Sequence, residues 1–585
     1  MAACTAAEVM SGCGGACTAS CTASACTISR TVSVTPPTPG ATCTFDFGTR
    51  DVTVQSGGFV GGANSYEIRA HKFTVGSTGK LTASGGTSGP GGIIILTLGS
   101  GGFVVQSNAN PVAVDGASAG SILVNSDGDV TISKAITADG TTSTAGAGNI
   151  GITAGRISGT TVVASGSITL IGGTSSGISA STSTASGAVG GNITLQAIGV
   201  APSGKIDLEN AVEAGGGTFG GGSISITSDN DTILGVSPKA HFLFVDGFGD
   251  AGSGGSVDVL AGGKIDGSAG RTGPISALGH SAALAGNAGG SGGSITFEAE
   301  TGIINIGGAS AGGMIAADAS TGSCGGSVSI TQDTATGGAV TIAVPITITG
   351  LGSSAGTGTT SDGAGGSLCV STEDPTTFSQ LIDGSGGTGG GGLMEIDSSS
   401  TITITGPVHA DGTSDGGCIT FCSGGGINLN AAVTAVRQIT NVTTGNGGGV
   451  TALGNGAVSL TALASVSTSG ANSAGCVDLE AGLGLTITST AEINGDGGSA
   501  TDSSGGTITL VAGSPDLPGD LTLSGKVHAQ GHSTLVNANG TTLLDGCTVH
   551  LSSTAVIDTT GDNLAKNTIS SSKVVPFALT SVEWP

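Results

Sequence analysis

A short pattern that begins with glycine recurs through the chain and constrains its fold more than any other feature. The pattern reads glycine, a small polar residue, an aliphatic residue, a polar residue and a second apolar residue, as in Gly191-Asn-Ile-Thr-Leu and Gly222-Ser-Ile-Ser-Ile. Repetition on a scale of about 30 residues indicates an architecture built from stacked units. Clear copies begin at Gly120, Gly166, Gly191, Gly222, Gly255, Gly293, Gly326, Gly366, Gly417, Gly475 and Gly506.

Many repeats contain a second apolar unit, such as Thr401-Ile-Thr-Ile-Thr-Gly-Pro-Val-His-Ala. Its alternation of Ile402, Thr403 and Ile404 has the period of two that is typical of a strand with one buried face. The sequence therefore predicts that each repeat contains about three short strands separated by bends. Stacked repeats of this kind predict an all-β, parallel β-helix of about 14–17 turns that average about 30 residues. We expect the glycines to provide positive φ angles at the corners between strands.

Composition supports this fold and excludes several others. Glycine accounts for 113 of 585 residues without an every-third period, which excludes collagen. The aliphatic content argues against disorder, because disordered chains combine low hydrophobicity with many charges. No apolar run reaches the roughly 18 residues needed to cross a bilayer, so we expect no membrane span.

The charge of the chain is strongly acidic and unevenly distributed. Its formal net charge is −25, and between Thr272 and Gly525 Arg437 is the only base against 19 acidic residues. Nucleic acids and anionic membranes are recognised by basic patches, so neither is an expected partner.

Six of the twelve cysteines lie in the first 43 residues, namely Cys4, Cys13, Cys17, Cys21, Cys26 and Cys43. A dense, even set predicts disulfides in an oxidising compartment, with the pairing open. A metal site is the weaker alternative, because the spacings do not repeat a CxxC pair and no histidine precedes His71. The start of the chain lacks the features of a signal peptide, so the chain is either intracellular or a mature form that carries a start methionine. The cysteines favour the mature form, and we expect that its signal has been removed.

The two ends depart from the glycine pattern. We predict a cysteine-rich N-terminal cap over residues 1–43, the β-helix over residues 44–560 and a closing or docking tail over residues 561–585. The terminal turns of such a fold present unpaired backbone, which a cap would cover or a second molecule would extend.

The strand and glycine repeats of residues 44–560 resemble those of right-handed parallel β-helix proteins, above all secreted adhesins and filamentous surface proteins of bacteria. The resemblance is one of pattern and implies a right-handed helix that presents loops at the cell surface. The same class also contains pectate-lyase-like and polygalacturonase-like enzymes.

A polysaccharide-degrading lyase or glycoside hydrolase is therefore the alternative function. Such an enzyme needs grouped carboxylates, or a cation with a base, and usually aromatic platforms for sugars. The chain has one Trp, one Tyr and no polygalacturonase-like motif. An acidic trio or a cluster of Asp and Arg in one groove would favour the enzyme, whereas a wall of Thr, Ser and Asn would not.

Oxygen-rich loops suggest calcium as a candidate ion, and no other cofactor is expected. The ligands would be Asp127 and Asp129 in one loop, and Asp246 and Asp250 in another. Turn capping is the alternative role for these aspartates.

The six later cysteines are expected on the outer surface, since Cys369 and the pair Cys418 and Cys422 alternate with apolar residues. Cys418 and Cys476 hold the same repeat position two repeats apart, too far for a direct disulfide, which leaves bonds to loops or to another subunit open. Threonines also recur at one outward position, as in ice-binding solenoids, but Asp258, Cys369 and Asp478 interrupt the row. These threonines are Thr169, Thr194, Thr296, Thr420 and Thr509.

Together these features predict an extracellular or cell-surface protein with a structural or adhesive role and no enzymatic activity. The expected partners are further copies of the chain, in a filament or surface layer, or a glycan or protein at a surface.

Overall fold

The computed structural model is nearly all strand, with 53% of residues in strands and about 1% in helix. It describes residues 2–11, 19–106, 111–142, 146–173, 177–182, 188–235, 242–249, 251–268, 274–280, 289–307, 313–320, 322–350, 363–387, 389–437, 445–461, 463–498, 502–514, 517–533, 540–559 and 566–576.

The chain divides into two compact units. The N-terminal unit comprises Met1–Ala283, Gly293–Gly302 and Ile306–Met314, and the C-terminal unit comprises Leu284–Gly292, Ile303–Asn305 and Ile315–Pro585. In both units successive strands lie in register with strands about one repeat away in sequence, and these strands form three parallel ladders. We call one strand from each ladder, taken in chain order, a coil. The prediction of an all-β parallel β-helix is confirmed.

The strands of the N-terminal unit fall into the three ladders as follows. The first ladder contains Cys43–Asp46, the start of Tyr66–Thr82, the start of Ile93–Val105, Ser121–Ser126, Asn149–Ser158, Asn192–Ala197, Ser223–Ser228, Ser256–Ala261 and Ser294–Ala299. The second contains Ala25–Ile28, the start of Asp51–Val60, the middle of Tyr66–Thr82, the end of Ile93–Val105, Val130–Ile132, Ile168–Leu170, Ile206–Leu208, Thr232–Leu234 and Ile265–Asp266. The third contains Ala2–Ala3, Thr31–Val34, the ends of Asp51–Val60 and Tyr66–Thr82, Val112–Ala113, Ile136–Thr137, Ile178–Ser179, Val212–Glu213, Leu243–Phe244 and Ile275–Ser276.

The C-terminal unit repeats this arrangement. Its first ladder contains Ser327–Gln332, Ser367–Thr372, Leu393–Ser398, Cys418–Ser423, Gly449–Gly454, Cys476–Ala481, Thr507–Ser514 and the starts of Thr541–Leu551 and Lys566–Pro576. Its second contains Val340–Ile342, Thr376–Phe378, Ile402–Ile404, Ile427–Leu429, Val458–Leu460, Gly484–Ile487, Asp520–Leu523 and the ends of Thr541–Leu551 and Lys566–Pro576. Its third contains Ile315–Ala316, Ile346–Thr347, Ile382–Asp383, Val408–His409, Val433–Thr434, Ser465–Ser467, Glu492–Asn494, Lys526–His528 and Val556–Asp558.

Four short antiparallel pairings project from these ladders or lie beside them. Ala19–Cys21 pairs with Ala25–Ile28, Thr161–Ser165 with Asn149–Ser158, Leu517–Pro518 with Thr507–Ser514, and Asp502–Ser503 with His532–Ser533. The strand Ile304–Ile306 has residues in both units. Helix is confined, among the described residues, to Ala6–Ser11. No helix in the described part of the chain is long and apolar enough to cross a membrane.

The core of each unit consists of stacked rows of aliphatic side chains. Ile150, Ile193 and Ile224 lie in register on consecutive coils, and each is at most 1% exposed. Burying such a side chain contributes about 1.5–3 kcal/mol, and a parallel ladder places the next apolar residue directly above it. Ile402 and Ile404 are likewise buried, while Thr403 between them is not. The predicted alternation of inward and outward residues is confirmed.

The glycine that precedes each first-ladder strand has a different role from the one predicted. Gly191, Gly222 and Gly255 do not adopt positive φ angles. Instead, a Cβ atom on any of them would overlap the backbone carbonyl oxygen of the corresponding glycine one coil earlier. The prediction of positive φ at these corners is therefore wrong. Glycine is required there because backbone stacks so closely on backbone that any larger residue is excluded.

One repeat lies in a different ladder from the one predicted. Ile168 pairs with Val130 and Ile206 in the second ladder, whereas Ile150 pairs directly with Ile193 in the first. Thr169 is thus not in the same row as Thr194, and the predicted threonine row is wrong at this position. The two ladders share the same local sequence, so only the position in the coil separates them.

Disulfides form in the N-terminal segment, as predicted. Cys4 bonds to Cys43 and Cys21 bonds to Cys26, while Cys13 and Cys17 lie outside the described residues. Parts of the segments predicted as cap and tail belong to the ladders: Ala25–Ile28 pairs with Asp51–Val60, and Lys566–Pro576 pairs with Thr541–Leu551. The division into cap, helix and tail stays a prediction.

Candidate binding groove

The outer face of the first ladder in the N-terminal unit carries a shallow groove. It crosses four consecutive strands, at residues 93–98, 121–126, 149–154 and 192–197, and consists of two adjoining depressions of about 410 and 490 Å³. Because neighbouring strands are about 4.8 Å apart, four strands give the groove a length of about 14 Å along the stack.

The first depression combines apolar side chains with amides. Ile93 and Leu123 are 43% and 40% exposed, and Gly151 lies next to Leu123 in the adjacent strand. A Cβ atom at Gly151 would meet only one atom within 4 Å, the Leu123 Cδ1 at 3.2 Å. The missing side chain at Gly151 therefore opens the floor of this depression.

Asparagine side chains form the polar edge of the same depression. The Asn192 Nδ2 donates to the Asn149 Oδ1 at 3.0 Å, and the Ser223 Oγ donates to the Asn192 Oδ1 at 2.7 Å. The amides are in register on consecutive coils, so each orients the next one. Asn149 and Asn192 are both exposed and retain polar capacity toward solvent.

The second depression contains an ion pair. The Arg156 Nε lies 3.0 Å from the Asp127 Oδ1, with the arginine side chain 62% exposed. Arg156 begins the outward arm formed by Asn149–Ser158 and Thr161–Ser165, and this arm also carries the exposed Ile157 and Val163. The ion pair anchors the base of the arm to the wall of the groove.

A second ion pair lies one coil before the groove on the same face. Arg69 makes two contacts to the Glu67 carboxylate, at 2.8 and 3.0 Å, and the Thr97 Oγ1 donates to the Glu67 Oε1 at 3.1 Å. The hydrogen bonds from Arg69 lower the pKa of Glu67, with burial opposing them and Thr97 adding to them. Glu67 is therefore an ionised, fully engaged carboxylate rather than a proton donor.

The aspartates predicted as calcium ligands each have a partner within the chain where the structure describes them. Asp127 pairs with Arg156, the Asp129 Oδ1 accepts the Ser167 N–H at 2.9 Å, and the Asp246 Oδ1 accepts the Leu278 N–H at 2.8 Å. Asp250 lies outside the described residues. Asp127 lies in the groove, and Asp246 lies beside the third ladder on a different corner.

Within the described ranges, no group of three or more His, Cys, Asp or Glu side chains is arranged to hold a metal ion. Calcium binding stays a prediction.

Sequence reasoning did not identify this groove. Asn149 and Asn192 occupy the strand position that serine holds in Ser223, Ser256 and Ser294. Gly151 replaces the outward polar residue of the repeat. Gly151 is the departure from the repeat that is visible in the sequence, and it marks one coil of the groove.

The described later cysteines lie where the alternation predicted. Leu368, Val370, Ile419 and Phe421 are buried, whereas Cys369 and Cys418 are exposed and Cys422 is half-buried.

The groove can accommodate an extended ligand chain through hydroxyl-to-amide hydrogen bonds and apolar contacts. Its two charges, on Asp127 and Arg156, neutralise each other.

No protein-family model, no curated protein and no solved structure matches this chain.

Proposed function

We propose that this protein is an extracellular or cell-surface β-helix with a structural and adhesive role, and that the groove is its contact surface for a neutral glycan. The observation that carries the proposal is the lining of the groove: exposed asparagine amides beside exposed aliphatic side chains, with the charges of Asp127 and Arg156 paired.

The chemistry of the groove supports a neutral, hydroxyl-rich ligand. Asn149 and Asn192 each offer donors and acceptors on a side chain held in place by its neighbour, which suits sugar hydroxyls. Ile93 and Leu123 offer apolar surface to the faces of the rings. The net charge of −25 disfavours an anionic polysaccharide as the ligand. The described groove also has no basic patch along its lining that could bind one.

The disulfides support a location outside the cytosol. Cys4–Cys43 and Cys21–Cys26 tie the N-terminal segment together, and structural disulfides of this kind persist in oxidising compartments. Stacked short strands with rows of aliphatic side chains inside are suited to a scaffold. Each added coil continues the existing rows, so the protein can be lengthened without a separate hydrophobic core.

A polysaccharide-degrading enzyme is the second candidate, and the Asp127–Arg156 pair in the groove favours it. General acid–base cleavage of a glycosidic bond requires two carboxylates about 5–9.5 Å apart. Asp127 is the one carboxylate among the residues that line the described groove. We therefore rank binding above cleavage.

One experiment separates the two. The purified chain is passed through native gels that contain neutral or acidic polysaccharides, and the same mixtures are assayed for new reducing ends and for unsaturated products. Retention by a neutral polysaccharide without cleavage supports the proposal. Cleavage that Asp127→Asn abolishes would establish the enzyme instead, and retention only by acidic polysaccharides would contradict the assignment of the groove.

A further inference from the structure

Two exposed thiols occupy matching positions on the first ladder of the C-terminal unit. Cys418 is in register with Gly449, and Gly449 is in register with Cys476, so the thiols lie one coil on either side of a glycine. Both cysteines are exposed and neither forms a disulfide within the chain. In a protein with structural disulfides, unpaired exposed thiols suggest bonds between molecules.

We propose that two copies of this chain join through this face by two identical disulfides, each between Cys418 of one copy and Cys476 of the other. The twofold axis passes through Gly449 and runs parallel to the strands. The coils of the two copies therefore follow each other in opposite directions along the interface, which we call the antiparallel arrangement. The coil before the axis in one copy then faces the coil after it in the second copy, which brings Cys418 opposite Cys476 twice.

The shape of the surface permits the close approach that a disulfide needs. The Cα atoms of bonded cysteines are usually 4.4–6.8 Å apart, whereas packed sheets are normally about 10 Å apart. A Cβ atom at Gly449 would meet nothing within 4 Å, so the axis passes through open space. A glycine also precedes each thiol, Gly417 before Cys418 and Gly475 before Cys476.

The charges on the face favour the antiparallel arrangement. Glu395 lies two coils before the axis and faces Thr509, and Asp478 lies one coil after it and faces Thr420. Each carboxylate therefore meets a neutral residue of the second copy. A parallel arrangement whose axis runs along the row of Glu395 and Asp478 would instead place each of these carboxylates opposite its own copy, and such like-charge contacts are unfavourable.

The other thiols of the face are less suited to this bond. Burial raises the pKa of Cys422, and Asp397 and Glu395 raise it further. Burial and the same two carboxylates also raise the pKa of Cys369. Since the thiolate is the attacking species in disulfide exchange, the raised pKa slows the reaction of these two residues.

The chemistry is an exchange with a small disulfide of an oxidising compartment. The thiolate of Cys418 attacks the small disulfide and releases one thiol. The thiolate of Cys476 in the second copy then attacks the mixed disulfide and releases the second thiol. Each protein disulfide thus gives two electrons and two protons to one small disulfide, which becomes two thiols. The inference depends on the proposed function only for these oxidising surroundings, and it is tested on purified protein.

The test uses the full chain, oxidised with glutathione disulfide and analysed by non-reducing electrophoresis and by mass spectrometry of linked peptides. We expect a covalent species of twice the 54.8 kDa chain, with Cys418 linked to Cys476. Cys418→Ser alone and Cys476→Ser alone should each remain monomeric, whereas a mixture of the two variants should form a heterodimer with a single bond.

Two further variants separate the thiols from the surface. Gly449→Trp should abolish the dimer with both thiols present and the fold intact by circular dichroism, because the side chain fills the axis. Cys369→Ser should leave the dimer unchanged. A wild-type chain that stays monomeric, a dimer retained in either single variant, or peptides linked through other cysteines would overturn the proposal. Glycan binding by the groove does not enter these readouts, so the two proposals can fail separately.

Discussion

The carboxylate of Asp411 accepts a hydrogen bond from the backbone N–H of Val436, one coil further along, at 2.9 Å. The same contact recurs where the chain leaves the third ladder, with distances of 2.7–2.9 Å from an aspartate Oδ1 to the N–H at the equivalent place in the next coil. The pairs are Asp115 with Asp139, Asp139 with Ser181, Asp246 with Leu278, Asp318 with Thr349, Asp411 with Val436, and Asp496 with Gln530. Each carboxylate satisfies a corner amide that lies beyond the end of the short third-ladder strand.

Removing one of these carboxylates should destabilise the C-terminal unit. Asp411 is 7% exposed, so Asp411→Ala leaves the N–H of the half-buried Val436 without its acceptor and should cost about 1–3 kcal/mol of unfolding free energy. Asp411→Asn keeps an acceptor oxygen and should cost less. Chemical denaturation followed by circular dichroism measures both variants.

Asp258 provides the matched control for that substitution. Its side chain is exposed on an outer strand face, so Asp258→Ala should change stability by no more than about 0.5 kcal/mol. Equal losses for Asp411→Ala and Asp258→Ala would show that the corner contact does not stabilise the fold.

Asp374 should make the stability of the C-terminal unit depend on acid pH. Burial tends to raise its pKa, but hydrogen bonds from Thr336, Gln332 and Gly337 outweigh burial, so the pKa lies below its ordinary value. A lowered pKa in the folded state means that the unfolded chain binds the proton more tightly. The stabilisation is therefore present above the unfolded carboxyl pKa of about 3.9 and is lost as the pH falls through the lower folded value.

Asp374→Asn should weaken this dependence, because the variant has no proton to bind at that site. Unfolding midpoints measured between pH 7 and pH 2 should fall less steeply for the variant than for the wild type, and the variant should be less stable at pH 7. Parallel curves for the two proteins would contradict the assignment.

The two disulfides should contribute unequally to stability. Cys4–Cys43 closes a segment with a sequence separation of 39, and Cys21–Cys26 one with a separation of 5. Loop-closure entropy gives about 4 kcal/mol for the longer loop and about 2 kcal/mol for the shorter one. Paired Cys→Ser variants, compared by denaturation, should show the larger loss for Cys4 and Cys43. A larger loss for Cys21 and Cys26 would indicate that loop length does not govern the effect.

The parallel β-helix was predictable from the sequence because its core depends on a period that a single chain displays. The sequence Ile402-Thr403-Ile404 shows the alternation of inward and outward side chains, and the spacing of the glycine-led copies gives the number of residues in a coil. The ladder to which a copy belongs was less predictable. Gly166-Ser-Ile-Thr-Leu looks like a first-ladder strand, yet Ile168 lies in the second ladder, since Asn149–Ser158 already occupies the first ladder in that coil.

The groove and the corner aspartates were missed because each depends on residues about one coil apart in sequence. The Asn192–Asn149 contact spans 43 residues, and the Asp411–Val436 contact spans 25. Nothing in a local pattern links such residues until the register is known. The recurrence of Asp-Gly after the third strand, as in Asp139-Gly140 and Asp411-Gly412, was the available signal for the corner contacts.

The most direct test of the proposed function is to fill the groove. Gly151→Leu places a side chain in the floor of the groove. The Leu123 Cδ1 is the one atom that lies within 4 Å of a Cβ at this position, and it belongs to a flexible side chain. Ser329→Leu places the same side chain at the equivalent outward position of a first-ladder strand in the other unit. The measurement is retention in native gels containing the neutral polysaccharide that the wild type binds. We expect at least a tenfold loss of affinity for Gly151→Leu and wild-type retention for Ser329→Leu, with both variants folded. Undiminished retention of Gly151→Leu would contradict the proposed role of the groove.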